Sequence, residues 1–275
     1  MPATAIGKVF LVGAGPGDPE LITLKGKRCL EAADVILYDE LANRELMRFA
    51  PGNAELLYVG KKAGAHCADQ RAIEALLISY ARRGKNVVRL KGGDPFLFGR
   101  GGEEAQALRA AGIPYEIVPG VSAALAVPAC AGIPVTYRGV ASSVAIVTGH
   151  QAPSDRGVVK WGELTRTVDT LIILMGLGNL RGIMNCLLNQ GCRSDHPVAL
   201  IQSGSLPAQK TVVGTVSTIV DLAEQHGFES PTMVVVGQVV NCSQGLAAFP
   251  KVFTGEVTEP ASVMRAASFC HDDLS

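Results

Sequence analysis

Seventeen residues, VRLKGGDPFLFGRGGEE from Val88 to Glu104, hold the densest set of groups able to recognise a ligand. Gly92 and Gly93 lack a Cβ, so a second molecule can approach the backbone closely. Asp94 offers an acceptor for a ligand hydroxyl or amine. Phe96, Leu97 and Phe98 add apolar surface. Arg100 has a glycine on each side, a setting unsuited to an ordinary surface arginine. Glu103 lies one helical turn further on, within reach to orient the guanidinium. Glu103 and Glu104 also fall in the first turn of the helix that follows, where carboxylates are stabilised by the helix dipole. For Glu104 that is the expected role.

A second glycine-rich stretch, VGAGPGDPEL from Val12 to Leu21, follows the apolar run Val9–Val12. A dinucleotide loop reads G-x-G-x-x-G between a strand and a helix. Here Gly13, Gly15 and Gly17 are two apart, and Asp18 stands where the third glycine belongs. Pro16 has no N–H to give a phosphate, and Asp18 puts a negative charge where a pyrophosphate wants donors. The loop therefore suits a ligand other than a phosphate, or is simply a tight turn after a strand.

These loops need a scaffold that delivers them to one place. Apolar, β-branched runs predict strands at Val9–Val12, Val35–Tyr38, Leu56–Val59, Val87–Leu90 and Tyr115–Val118. Helices are expected near Thr23–Ala33, Arg44–Phe49, Asp69–Arg83 and Gly102–Ala111. A second set of strands is expected at Ser143–Thr148, Thr170–Leu174, Val198–Ile201, Lys210–Gly214 and Thr232–Val236, with helices near Leu180–Asn189 and Val216–His226. Strands separated by helices predict βαβ units and a largely parallel sheet in an α/β fold of two lobes. The seam falls near Pro119-Gly120, giving lobes at 7–118 and 119–245. Periodicity fades after Gly245, so 246–275 is expected to be a loosely attached or disordered tail. In open parallel sheets ligands gather at the C-terminal strand ends. Five glycine-rich stretches fall there: 13–18, 60–64, 92–95, 175–178 and 203–205.

Composition narrows the class. The 275 residues are 48% hydrophobic and 18% charged, with a formal net charge of zero. A broad basic field for nucleic acid or a membrane surface is absent. No apolar run approaches the roughly 18 residues of a membrane span, and no signal peptide is visible. The seven cysteines form no C-x-x-C pair, which suits reduced thiols in a cytoplasmic protein. The five histidines show no ligand spacing, so no metal is expected.

Taken together, GAGPGDPELITLKG, YDELA, VGKKAG, RLKGGDPFLFGRGGEE, VPGVSAALAVPACAGIPVTYR and VTGH closely resemble the motifs of the tetrapyrrole methylases, over about Lys8 to Gly245. The resemblance implies two αβα lobes, S-adenosylmethionine folded in the cleft between them, S-adenosylhomocysteine as its product, and no metal. It assigns cofactor contacts to Pro16, Gly92, Gly93, Asp94, Leu97, Ser122, Ala123, Met175 and Gly204. Asp39 of YDELA matches the proton acceptor and Lys61 of VGKKAG the proton donor. Arg100 and Arg138 match substrate-binding positions, Arg100 also a catalytic one, and Glu103 joins the substrate side. The implied reaction is C-methylation of uroporphyrinogen III at C2 and C7 to precorrin-2, for sirohaem, cobalamin or haem d1. That substrate carries carboxylates that arginine grips bidentately, and Lys61, Lys62, Arg100 and Arg138 are the cations available. A homodimer in the cytoplasm, without a dehydrogenase–chelatase module, is also implied.

The sequence departs from the family pattern in three places: Lys62 where arginine is common, Ala65 before His66 where two histidines are common, and Tyr137 before Arg138 where histidine is common. None removes an assigned residue, and His66 remains a candidate substrate contact. Other readings stay open here: a methylase of a later corrin precursor, a nucleic-acid or protein methylase, a ligand-binding protein without turnover, and a Rossmann-type NAD enzyme. Neutral charge weighs against nucleic acid, and Pro16 with the missing third glycine weighs against NAD.

Overall fold

The computed structural model describes residues 5–60, 70–151 and 159–246. Among these, ten strands form two five-stranded sheets. The first takes β1 (Val9–Gly13), β2 (Val35–Tyr38), β3 (Glu55–Tyr58), β4 (Val87–Lys91) and β5 (Tyr115–Val118), in the order β3-β2-β4-β1-β5. Every pairing in it is parallel. Helices α1 (Leu24–Glu31), α2 (Gln70–Arg82) and α3 (Gly101–Ala110) connect these strands. The Thr23 hydroxyl accepts from the Gly26 amide at 3.0 Å and caps α1. The expected helix at Arg44–Phe49 is a 3₁₀ helix, capped by Asn43.

This sheet is buried on both faces. Val9, Leu11, Val35, Leu37 and Val87 pack under Leu77 of α2 and Leu108 of α3. On the other face Val12, Ile36, Val88 and Leu90 meet Cys29 and Leu30 of α1. Burial on both faces explains why the inner strands β1, β2 and β4 read as largely apolar runs, while the edge strands β3 and β5 are more open. Truncating fully buried Leu108 to alanine should cost about 2–5 kcal/mol.

The second sheet takes β6 (Val144–Thr148), β7 (Thr170–Leu174), β8 (Pro197–Gln202), β9 (Lys210–Thr215) and β10 (Thr232–Gly237), in the order β6-β7-β10-β8-β9. The expected largely parallel arrangement does not hold here. Only β6 and β7 run parallel, and β10 opposes both β7 and β8, while β9 opposes β8. Residues 203–209 contain no helix, and a parallel return needs a crossover of about a dozen residues or more. So β9 folds back beside β8. Because β7 and β8 both oppose β10, they share a direction with β6. The loops after β6, β7 and β8 therefore leave from one edge.

Helices α5 (Trp161–Thr167), α6 (Leu180–Asn189) and α7 (Ile219–Gln225) flank this sheet. Residues of α6 and α7 pack with Trp161 on one face. The other face is covered by α4 (Ala123–Cys130), whose Ala124 and Val127 meet Ile172, Ala199 and Val235. Pro128 lies inside α4, and that proline, in a uniformly apolar stretch, hides the helix from a periodicity reading.

Candidate active site

In the register of the first sheet, Leu37 of β2 and Leu11 of β1 both stand opposite Arg89 of β4. Up to that row the face under α2 and α3 is apolar. From there to the C-terminal edge it is charged. Arg89 and Lys91, two residues apart on β4, are each 4% exposed, and Glu104 of α3 is fully buried. Glu104 Oε1 accepts from Arg89 Nε at 3.2 Å, Lys91 Nζ at 3.0 Å and Gln70 Nε2 at 3.3 Å. Glu104 Oε2 has no partner among the described residues. Burial lowers the pKa of the Lys91 ammonium, and the neighbouring Arg89 charge adds to the effect. Glu104 lies in the first turn of α3, as expected for a carboxylate at a helix start, and its side chain also faces inward, into a cluster with two cations.

Arg89 reaches one step further. Its Nη2 donates to Asp39 Oδ2 at 3.0 Å, and its Nη1 to the Leu90 carbonyl at 3.0 Å. Asp39 follows β2, and its Oδ1 also accepts from the Leu41 amide at 3.3 Å. About a quarter of its side chain, 26%, stays open to solvent. Gly60, which precedes Lys61 in the chain, passes the same turn, since a Cβ there would lie 3.0 Å from the Glu40 amide. Lys61, Lys62 and His66 lie outside the described residues.

At the start of α3, Arg100 and Glu103 form an exposed pair. Arg100 Nε and Nη2 donate to the two Glu103 oxygens at 2.9 and 2.6 Å. The pair holds the Glu103 carboxyl below its usual range and raises the pKa of the Arg100 guanidinium. Arg100 has φ 58°, a left-handed conformation uncommon outside glycine. Two of its five N–H donors are used, leaving three for an incoming carboxylate.

Between the lobes lies a seam of backbone. Gly15 and Gly93 exchange hydrogen bonds at 3.2 and 2.7 Å. A Cβ on Gly120 would sit 2.3 Å from the Gly93 carbonyl and 2.7 Å from Gly13 Cα, so the three segments meet only as glycines. Beside them Gly93 itself faces open space, with only the Ala123 amide at 3.7 Å. The Asp18 amide donates to Ser205 Oγ at 3.0 Å, which ties the Pro16 loop to the loop after β8. Leu97 and Ala123 pack against the core of the second lobe. Gly17, Gly93, Leu97, Ala123 and Gly204 are thereby drawn to one seam.

Other assigned residues are already engaged in the fold. Asp94 accepts from the amides of Phe96 at 2.8 Å and Gly120 at 3.1 Å, so it braces the seam. Ser122 caps α4 through the Ala124 amide at 3.2 Å. A Cβ on Gly92 would meet Leu41 at 2.6 Å, and one on Gly204 would meet Val127 at 2.3 Å. Met175 directly follows β7, has φ 56° and is 51% exposed. Arg138 is exposed in the turn 137–141 and makes no hydrogen bond or ion pair among the described residues. The sequence reading missed Arg89 and Lys91. Two cations at i and i+2 in an apolar central strand were the available signal. Among the described residues no three His, Cys, Asp or Glu side chains converge to hold a metal ion.

Two α/β lobes, charged loops on the first and a backbone-lined seam to the second, define a two-lobed α/β protein. Residues 8–220 match the tetrapyrrole (corrin/porphyrin) methylases, and the chain belongs to that family. It is 50% identical over 238 residues to a uroporphyrinogen-III C-methyltransferase of Priestia megaterium, spanning 86% of this chain and 100% of that one. It is 48% identical over 240 residues to a siroheme synthase of Acinetobacter baylyi, 87% of this chain but 52% of that protein. Among solved structures, the uroporphyrin-III C-methyltransferase of Thermus thermophilus complexed with S-adenyl homocysteine superposes with TM-score 0.72 at 40% identity, covering 86% and 99% of the two chains. No helix among the described residues is long and apolar enough to cross a membrane.

Proposed function

We propose that this protein methylates C2 and C7 of uroporphyrinogen III with S-adenosylmethionine, yielding precorrin-2. The observation that carries the proposal is the pairing of an open arginine fork and a part-exposed aspartate with a seam of close backbone between two lobes. The half-identical relative named for this reaction supports it. The seam fits the cofactor: Gly93 leaves room that a Cβ would fill, and residues 175–178 and 203–206 carry no charged side chain that would favour a phosphate instead.

When bound, S-adenosylmethionine supplies a methyl on a cationic sulfur, which departs as the thioether when a pyrrole carbon takes the methyl. This chain's residues do the rest. Arg100, steadied by Glu103, and Arg138 grip substrate carboxylates and hold the ring at attack distance. Asp39 accepts the proton that the methylated ring must lose, and Lys61 serves as donor. Pro16, Gly92, Gly93, Asp94, Leu97, Ser122, Ala123, Met175 and Gly204 form the cofactor surface, some by contact and some by shaping the backbone. We assign the lobes to 7–118 and 119–245 and the enzyme to the cytoplasm as a homodimer, feeding sirohaem, cobalamin or haem d1 synthesis. A monomer mass in sedimentation at micromolar concentration would contradict the dimer.

The test is an anaerobic incubation with uroporphyrinogen III and S-adenosylmethionine, with product read by mass. A gain of two methyl groups is expected. No gain, with S-adenosylhomocysteine still binding, would move the substrate to a later corrin precursor.

A further inference from the structure

The buried cluster behind Asp39 has no role in the proposed reaction so far. Nor does stability explain it. A buried ion pair contributes little net stability, and apolar residues of similar volume often hold a fold as well or better. Here two cations occupy a central strand, and the carboxylate between them leaves Oε2 without a partner among the described residues. Their geometry has a direction. Glu104 takes Arg89 by Nε, and the Leu90 carbonyl takes it by Nη1, so the guanidinium plane is fixed before Nη2 reaches Asp39. Lys91 pins the same Glu104 oxygen from the strand side. Asp39 is then held on both oxygens, by Arg89 and by the Leu41 amide.

We propose that Glu104 and Arg89 are positioning residues for methyl transfer: buried Glu104 orients Arg89, and Arg89 fixes the Asp39 carboxylate at the cleft. The inference rests on Asp39 accepting the ring proton. Geometry governs such a transfer, and a displacement of about 1 Å can cost about a hundredfold in rate.

The test uses the full chain with uroporphyrinogen III and S-adenosylmethionine. Asp39→Asn comes first: turnover sharply lowered but still measurable, with unchanged S-adenosylhomocysteine affinity, supports the base, and near-normal turnover overturns both it and the inference. Glu104→Gln and Arg89→Lys should then each lower kcat on the order of a hundredfold, while KM and S-adenosylhomocysteine Kd stay within about twofold. In the Asp39→Asn background Arg89→Lys should cause no further loss, because both changes remove one function. Near-normal kcat in both variants overturns the inference, with Asp39 still standing as the base. So does an undiminished Arg89→Lys loss in the Asp39→Asn background, or a rise in KM and Kd at unchanged kcat. If Glu104→Gln fails to fold, Arg89→Lys, which keeps the buried charge but not the planar fork, carries the test alone.

Discussion

The two lobes present their loops from different kinds of sheet. In the first, all five strands are parallel, so every strand ends at one edge. In the second, only β6, β7 and β8 end at the shared edge, because β9 and β10 run the other way. The charged side chains described at these strand ends divide along the same line. The first edge gathers Asp39, Arg89, Lys91, Arg100, Glu103 and Glu104. The second offers the exposed Met175 and the uncharged run Ser203-Gly204-Ser205-Leu206. A parallel sheet can aim many side chains at one point. A mixed sheet closes more of itself off and contributes backbone and apolar surface.

That division is open to tests, from large effects to small. Arg100→Ala in the first lobe should lower turnover by about a hundredfold or more, the cost of a substrate misplaced by about 1 Å. S-adenosylhomocysteine titration should give an unchanged Kd. A parallel loss of cofactor affinity would mean that Arg100 does not act on substrate alone. Gly204→Ala in the second lobe should do the reverse. Its Cβ would press on buried Val127, weakening the apo fold by about 1–3 kcal/mol in a denaturant titration. Cofactor binding should suffer with it.

Met175→Gly sharpens the contrast further. Glycine relieves the φ of 56°, so stability should hold or rise by up to about 1 kcal/mol by thermal melt. The KM for S-adenosylmethionine should rise while kcat barely moves. The smallest effect lies away from the cleft. Lys25 and Lys8 hold the Glu116 carboxyl at about 2. This depressed pKa adds stability that is present above the unfolded value of about 4.3 and is lost as pH falls toward about 2. Wild type and Glu116→Gln should therefore converge in stability across that window. A gap that stays constant would remove Glu116 from the acid response.

The elements that carry function were legible to different degrees. Apolar runs gave β2 and β7 to the residue, because strands buried on both faces need little else. Helix α4 stayed hidden, since AALAVPAC has no polar face and carries Pro128. The mixed second sheet was foreshadowed by the helix-free stretch 203–209, whose short span forbids a parallel return. At the site, Arg100 and Glu103 could be paired from spacing alone, and they are. Glu104, its chain neighbour, could not, because one step along a helix turns a side chain by about 100° and sends it into the core. Arg89 and Lys91 hid in a strand whose neighbours are all apolar. Their partner lies on another element, and only the fold brings them within reach.

The seam between the lobes is where these readings meet. Hydrogen exchange with and without S-adenosylhomocysteine tests it most directly. Protection is expected together in residues 13–18 and 92–97 of the first lobe and 120–124, 175–178 and 203–206 of the second. Protection confined to one lobe, or appearing away from these loops, would contradict a cofactor held between them.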